Sequence, residues 1–514
     1  MSRSRIPPHR LVALTAVAAG VTVLLSGCLS WFLPPRPDTT STPTGEQVDA
    51  SLQDFYSQVL VWTSCGTGMQ CTTATAPMNW DDPAQASIEL ALVRQPATGT
   101  KKGSLLVNPG GPGGSGYDFI LDSVDYATDE RLQRNFDIVG FDPRGVGRSS
   151  PVTCYDDPEA FDEWMYEIVP GEIGSDQWIA DVEADSAQFG ADCLKFTGPE
   201  LQYVDTVSAA RDLDLLRAIL GDTKLNYLGY SYGTFLGATY AELYPQNTGR
   251  LVLDGAIDPA TSEFEVTITQ AKGFDSALRA YLTDCVTRKG CPFTDVDAAM
   301  VRIADMFTAL DESPLQGADG RQFGVDAMFA ATILPLYSQE NWPYLDQLFD
   351  EILKGKTDTG FLLADAYNER NPDGTYDSNS TEAIIAINCM DYRGDDDVAT
   401  MRAEAVKLAA AAPVFGPWMS FGGTGCAGWP FPASGVRGPI EAKGSADILV
   451  VGTSNDPATP YVWAKALAAE LENGHLVSYD GEGHTAYNKS NSCVDDTVDA
   501  YFIDGTVPAS DPDC

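Results

Sequence analysis

Histidine is scarce, with three in 514 residues, so chemistry that needs an imidazole has few places to sit. Positive charge is scarce as well. Thirty-two Lys and Arg stand against 73 Asp and Glu, a formal net charge of −41, and a field of that sign repels nucleic acid and acidic lipid while suiting cationic or amine-bearing partners. The acidic excess runs along the whole sequence, so solubility outside the cell accounts for it as readily as substrate steering. Paired Cys-x-x-Cys motifs are absent, which together with the few histidines argues against a zinc site. No apolar run after the first 25 residues is long enough to be a transmembrane helix, and no internal repeat is found.

What remains is the composition of a loop-rich globular protein: 44% hydrophobic residues, 47 glycines and 32 prolines. The length allows one large domain with an insertion or two to three average ones. The N-terminus reads as an export signal over residues 1–27, with Arg3, Arg5 and Arg10 ahead of a short apolar run from Leu11 to Leu25. That run ends Leu25-Ser26-Gly27-Cys28, which resembles a bacterial lipoprotein signal cut before Cys28. Cys28 is then the lipid carrier, and the protein sits on the outer face of the cell membrane; the alternative is an ordinary secretory signal with an incidental cysteine. Residues 28–50, rich in Pro, Thr and Ser, read as an extended tether.

Ten further cysteines in an exported chain imply five disulfides. Sequence leaves their connectivity open; pairing neighbours in order gives Cys65–Cys71, Cys154–Cys193, Cys285–Cys291, Cys389–Cys426 and Cys493–Cys514.

Short apolar runs that end in turns, Ser104 to Val107 and Phe136 to Phe141, predict buried strands, and Ile88 to Leu92 alternates like an exposed one. Helical spacing predicts a helix over Val207 to Leu220, closed by Gly221. Strand, helix, strand then continues through Leu225 to Gly229, Thr234 to Leu243 and Arg250 to Asp254, the rhythm of a doubly wound, mostly parallel α/β sheet. From 261 to 432 the pattern is mostly helical, and strands return at Asp447 to Gly452 and His475 to Tyr479. The expected organisation is a sheet domain from 51–260 and 433–514 with an inserted helical cap from 261–432.

Gly229-Tyr230-Ser231-Tyr232-Gly233 fits G-x-S-x-G between a strand and a helix, where a sharp turn needs glycine and exposes the serine as a nucleophile. A serine needs a base. His9 lies in the signal and His475 opens a strand, which leaves His484, in the glycine-flanked loop after the last strand. Asp456, after the preceding strand, is the leading acid; Asp254 and Asp258 are the alternatives. The run Asn108-Pro109-Gly110-Gly111-Pro112-Gly113-Gly114 follows a strand and offers backbone N–H groups, so Gly111 and Tyr232 are the expected oxyanion donors. That run carries no lysine and lacks a Gly-Lys-Ser/Thr ending, which excludes a phosphate loop. The chemistry asks for no metal and no organic cofactor.

These residues resemble the α/β-hydrolase peptidases that include proline iminopeptidases and, more closely, the secreted tripeptidyl aminopeptidases of actinobacteria. The likeness runs from about Cys71 to Cys514. It is carried by Asn108 to Gly116, with asparagine where the iminopeptidases have histidine, by Gly140 to Ser149, by Tyr227 to Gly233, by Ala386-Ile387-Asn388-Cys389-Met390-Asp391 and by Asp456-Pro457-Ala458-Thr459-Pro460. The resemblance implies an α/β-hydrolase fold and release of short peptides from substrates with free N-termini. It also implies carboxylates near the cap that bind the substrate ammonium, with Asp391 as first candidate and a purely structural role as its alternative. Esterases and small-molecule amidases share the framework, and a lipid-anchored binding protein that no longer does chemistry is the non-enzymatic alternative.

Overall fold

Side chains alternate across a strand, and the sequence uses both faces. Leu105 and Val107 pack into one buried layer and Leu106 into the other; Val450 and its neighbours Leu449 and Val451 divide the same way. A sheet buried on both sides follows. In the computed structural model, which describes residues 39–392, 394, 397–435 and 437–514, that sheet has ten strands: β1 (Thr39–Thr40), β2 (Val61–Gly66), β3 (Met69–Pro77), β4 (Ser87–Gln95), β5 (Gly103–Asn108), β6 (Phe136–Phe141), β7 (Leu225–Tyr230), β8 (Thr248–Asp254), β9 (Ile448–Asn455) and β10 (Gly474–Glu482). Their order is β1-β2-β3-β4-β6-β5-β7-β8-β9-β10. The first four strands and β6 pair antiparallel, and the run from β6 through β5 to β10 is parallel. The expected signal at 1–27, Cys28 and the first part of the tether lie outside the described residues.

The helices that matter for the site include α1 (Gly116–Ala127), α2 (Asp176–Thr197), α3 (Thr206–Leu220), α4 (Tyr232–Leu243), α5 (Glu263–Cys285), α6 (Ser380–Asp391) and α7 (Ser492–Asp504). Helix α3 starts where the Asp205 carboxylate accepts the Ser208 N–H and ends at Gly221, whose φ of 92° few other residues adopt. Helices α3 and α4 cover one face of the sheet, α1 and α7 the other.

Between α5 and the segment before β9 the chain is helical apart from a two-stranded ribbon pairing Gln322–Phe323 with Leu315–Gln316. This region has its own core, in which Phe274, Phe307, Phe349 and Phe415 are buried. A second helical excursion, between β6 and α3, joins it. Cys154–Cys193 staples that excursion, the Phe161 ring lies 4.6 Å from that of Tyr376, and Arg370 Nη2 donates to Asp162 Oδ2 at 2.7 Å. The roof over the sheet thus has two parts, whereas the sequence places residues 151–203 with the sheet. Their position between two strands in chain order does not say which layer they join.

All five disulfides pair cysteines that are neighbours in sequence order, Cys65–Cys71, Cys154–Cys193, Cys285–Cys291, Cys389–Cys426 and Cys493–Cys514. Among the described residues no helix is long and apolar enough to cross a membrane.

Candidate active site

Ser231 stands between β7 and α4 with φ 55° and ψ −123°, a conformation disfavoured for a residue with a Cβ and found where a serine is thrust out of a sharp turn. The flanking glycines explain how the turn closes. A Cβ on Gly229 would lie 2.3 Å from the Gly233 carbonyl oxygen, and one on Gly233 2.8 Å from Asn108 Oδ1. The Ser231 N–H donates to the Asp254 carbonyl at 2.9 Å, and its own carbonyl accepts from Thr234 N and Oγ1. Ser231 is half-buried, and its hydroxyl makes no hydrogen bond to another described residue, His484 included.

His484 follows β10. Its Nδ1 lies 2.9 Å from both carboxylate oxygens of Asp456, which is itself fully buried. Asp456 is held by the N–H groups of Ala458 and Thr459 at 2.9 Å and of Thr485 at 3.2 Å, and by the Thr459 hydroxyl at 3.0 Å. Donors at each oxygen fix the orientation of the carboxylate beside the imidazole. On the roof side the Tyr337 carbonyl accepts the His484 N–H at 2.9 Å, and the two rings sit 5.4 Å apart.

The two halves meet at Gly255. The residue before it holds the Ser231 N–H, and a Cβ on Gly255 would lie 3.2 Å from His484 Cε1. Serine and imidazole therefore flank one glycine at the end of β8. Asp254 turns away from the imidazole nitrogen: its oxygens accept the Ala486 and Tyr487 N–H groups at 2.8–3.0 Å. Asp258 caps its own turn through Ala260 N. His475 pairs with Asp447, and of the histidines in the described residues His484 is the one beside Gly255.

The glycine run after β5 lies on the same turn. A Cβ on Gly110 would be 2.8 Å from Ser231 Cβ and 3.1 Å from Tyr232 N. The backbone at Gly110 and Gly111 thus approaches the N–H of Tyr232, at the start of α4, as an oxyanion cradle requires. Gly111 and Tyr232 line a cavity of about 440 Å³. Phe235, Ile257 and Trp463 add to the wall on the sheet side, and the roof supplies Glu263, Val266 and Gln270 of α5, Ile384, Ile385 and Asn388 of α6, and Gly422, Gly423, Gly425 and Cys426, with Arg437 at the side. A second cavity of about 520 Å³ shares Glu263, Tyr392, Gly422 and Arg437 with it and adds Glu404. The Arg437 guanidinium lies over the Tyr392 ring at 3.6 Å.

Asp391 does not line the cavity that holds Gly111 and Tyr232. It lies behind Tyr392, against a separate space of about 230 Å³, and is nearly fully buried. Thr206 N and Oγ1 each donate to one of its oxygens at 2.6 Å. Burial pushes its carboxyl up to about 7 even though the Thr206 bonds favour the charged form. A carboxylate so engaged is poorly placed to greet an ammonium in the cavity beside Gly111 and Tyr232, where among the described residues the acid on the wall is Glu263. Thr459, Thr206 and the Tyr337 carbonyl were not foreseen. Only Thr459 had a signal, its place in Asp-Pro-Ala-Thr-Pro.

Residues 412–514 match the family model described as TAP-like protein. Over 98% of this chain and 98% of theirs, the sequence is 36% identical to serine protease Hip1 of Mycobacterium tuberculosis. It is 38% identical to carboxylesterase B of the same species over 96% of each chain. The tripeptidyl aminopeptidase of Streptomyces lividans is 29% identical over 88% of this chain and 86% of its own.

Proposed function

The chain belongs to the TAP-like α/β-hydrolases, the family of serine protease Hip1 and carboxylesterase B, and from that premise we propose that it is a serine exopeptidase releasing short peptides from free N-termini. Ser231 Oγ attacks the scissile carbonyl while His484 Nε2 takes its proton, and Asp456 stabilises the imidazolium through Nδ1–H. The oxyanion is held by the Tyr232 N–H and the Gly111 loop. His484 returns the proton to the departing amine, and water, activated by the same imidazole, releases the acyl group. The observation that carries the peptidase reading is the roofed cavity, which sets the carboxylate of Glu263 in one space with the oxyanion loop.

A carboxylate in a partly dry cavity holds an ammonium by a charge-assisted hydrogen bond of about 1.5–3 kcal/mol, roughly ten- to a hundred-fold in rate. Acetylating a good tripeptide substrate should therefore lower kcat/KM at least about ten-fold. Raising pH through the α-amino value near ~7.7–8.0 should weaken the free peptide selectively, and Glu263→Gln should narrow the gap between the pair. Equal cleavage of free and blocked peptides overturns the exopeptidase reading in favour of an endopeptidase or an esterase. The apolar walls at Phe235, Ile257 and Ile385 suit the esterase reading.

We further propose that the protein is exported and anchored to the outer membrane face by lipid on Cys28. The residues Leu25 to Cys28, the Pro-rich tether and five disulfides support this. Cys28→Ser should move the enzyme from the membrane fraction to the soluble one; unchanged membrane retention refutes the anchor.

A further inference from the structure

Tyr232 is expected to offer its backbone N–H to the oxyanion, and its phenol runs the other way, into the core. Its hydroxyl bonds to Thr206 Oγ1, and Thr206 Oγ1 in turn lies 2.6 Å from Asp391 Oδ2. A hydroxyl has one proton to give. In its ionised form Asp391 can only accept, so Thr206 then donates to Asp391 and must accept from Tyr232. The chain therefore has a fixed sense, Tyr232 O–H to Thr206 O–H to Asp391, and it ends on a carboxylate whose other oxygen takes the Thr206 N–H at 2.6 Å. All three side chains are buried, where such bonds are stronger and a missing partner costs more.

Asp391 is the last residue of α6, and the first turns of the same helix press on the glycine loop. A Cβ on Gly113 would lie 2.6 Å from the Ser380 carbonyl oxygen, 3.1 Å from Ile384 N and 3.3 Å from Ala383 Cβ. One helix thus touches both sources of oxyanion donors: the Gly110–Gly114 loop near its N-terminus and Tyr232 through its C-terminus. The helix is itself pinned. Cys389–Cys426 ties one end to the cavity wall, and Glu382 accepts the Cys154 N–H at 2.5 Å from the second part of the roof.

We propose that α6 is a clamp on the oxyanion hole, with Thr206 and Asp391 as positioning residues that fix the Tyr232 N–H relative to the glycine loop. The proposal rests on Ser231 being the nucleophile. Neither residue touches substrate; they act by holding a donor where charge develops, and displacements near 1 Å in such a site cost up to about a hundred-fold in rate.

The test compares Thr206→Val, which keeps the shape and removes the hydroxyl, with Thr206→Ser, which restores it, and Asp391→Asn, which reverses the polarity of the chain. The parent is first shown to react with a fluorophosphonate. Thr206→Val should lower kcat on a peptide substrate about ten- to a hundred-fold with KM within about three-fold, and Thr206→Ser should recover most of it. Affinity for a peptide boronic acid, which forms a tetrahedral adduct on the serine, should fall in step with kcat. The Thr206→Val/Asp391→Asn double variant should be no worse than Thr206→Val alone, because both break one chain. Unchanged kcat and boronate affinity in Thr206→Val, or a loss confined to KM and thermal stability, overturns the clamp. Should Thr206→Val fail to fold, Asp391→Asn, whose amide oxygen can still accept the Thr206 N–H, reads the same quantities and decides alone. A parent that does not react with the fluorophosphonate overturns the catalytic reading instead, so the two failures are distinct.

Discussion

Two aspartates follow buried strands close to the His484 loop, and hydrogen bonds separate their work. Asp456 meets Nδ1 of the imidazole, while Asp254 ties down the backbone of Ala486 and Tyr487. Asp254 also attracts Lys489, an exposed side chain whose ammonium lies 4.5 Å from the Tyr126 and Tyr230 rings, where desolvation pulls it down to about 8 despite the attraction of Asp254 and Asp456. Asp456→Asn should mis-set the imidazole and cost about 10⁴ in kcat with little change in thermal stability. Asp254→Asn should lower Tm by several degrees and leave kcat within about ten-fold; a reversed pattern in folded proteins gives the acid's role to Asp254. The placing of Ser231, His484 and Asp456 in turns just after strands was legible, because such turns need glycine or proline. Asp391 was visible as a carboxylate, but sequence does not say what a carboxylate touches. Thr206 left no mark at all, since a threonine at the start of a helix is ordinary.

At the scale of elements, the strands flanked by turns were legible and the roof was less so. Helix α3 spans Thr206–Leu220 where Val207 to Leu220 was expected, and β6 spans the expected Phe136–Phe141. Strand β3, Met69–Pro77, carries Thr and Ala instead of the large β-branched runs that mark a buried strand, and it was missed. The long helix α2, Asp176–Thr197, was not foreseen, nor was its packing on the roof. Helix α6 is joined to that part of the roof through Glu382, whose carboxyl burial pushes up to about 7. A carboxyl raised above its unfolded value near ~4.3 contributes stability that is fully present below that pH and is lost as pH rises through about 7. Glu382→Gln should therefore flatten the fall of Tm between pH ~5 and ~8, measured by differential scanning fluorimetry. A slope identical to the parent's removes Glu382 from the account.

For the whole molecule the same sign recurs. Burial raises Asp275 to about 6, Asp391 to about 7 and Asp499, helped by its neighbour Asp129, to about 8, and a formal net charge of −41 adds self-repulsion as the carboxyls ionise. The parent should be more stable near pH 5 than near pH 8, and a Tm that climbs steadily across that interval contradicts the burial of these groups. Composition foretold a globular, acidic, disulfide-bearing protein, but the two-part roof depends on contacts between segments more than 200 residues apart, such as Asp162 with Arg370. The central claim is that this architecture exposes one activated serine. Its most direct test is to treat the whole protein with a fluorophosphonate, digest it and locate the adduct by mass spectrometry. A single adduct should form on Ser231, absent from Ser231→Ala and suppressed by a free tripeptide substrate; an adduct on another residue, or none on folded protein, removes Ser231 as the nucleophile.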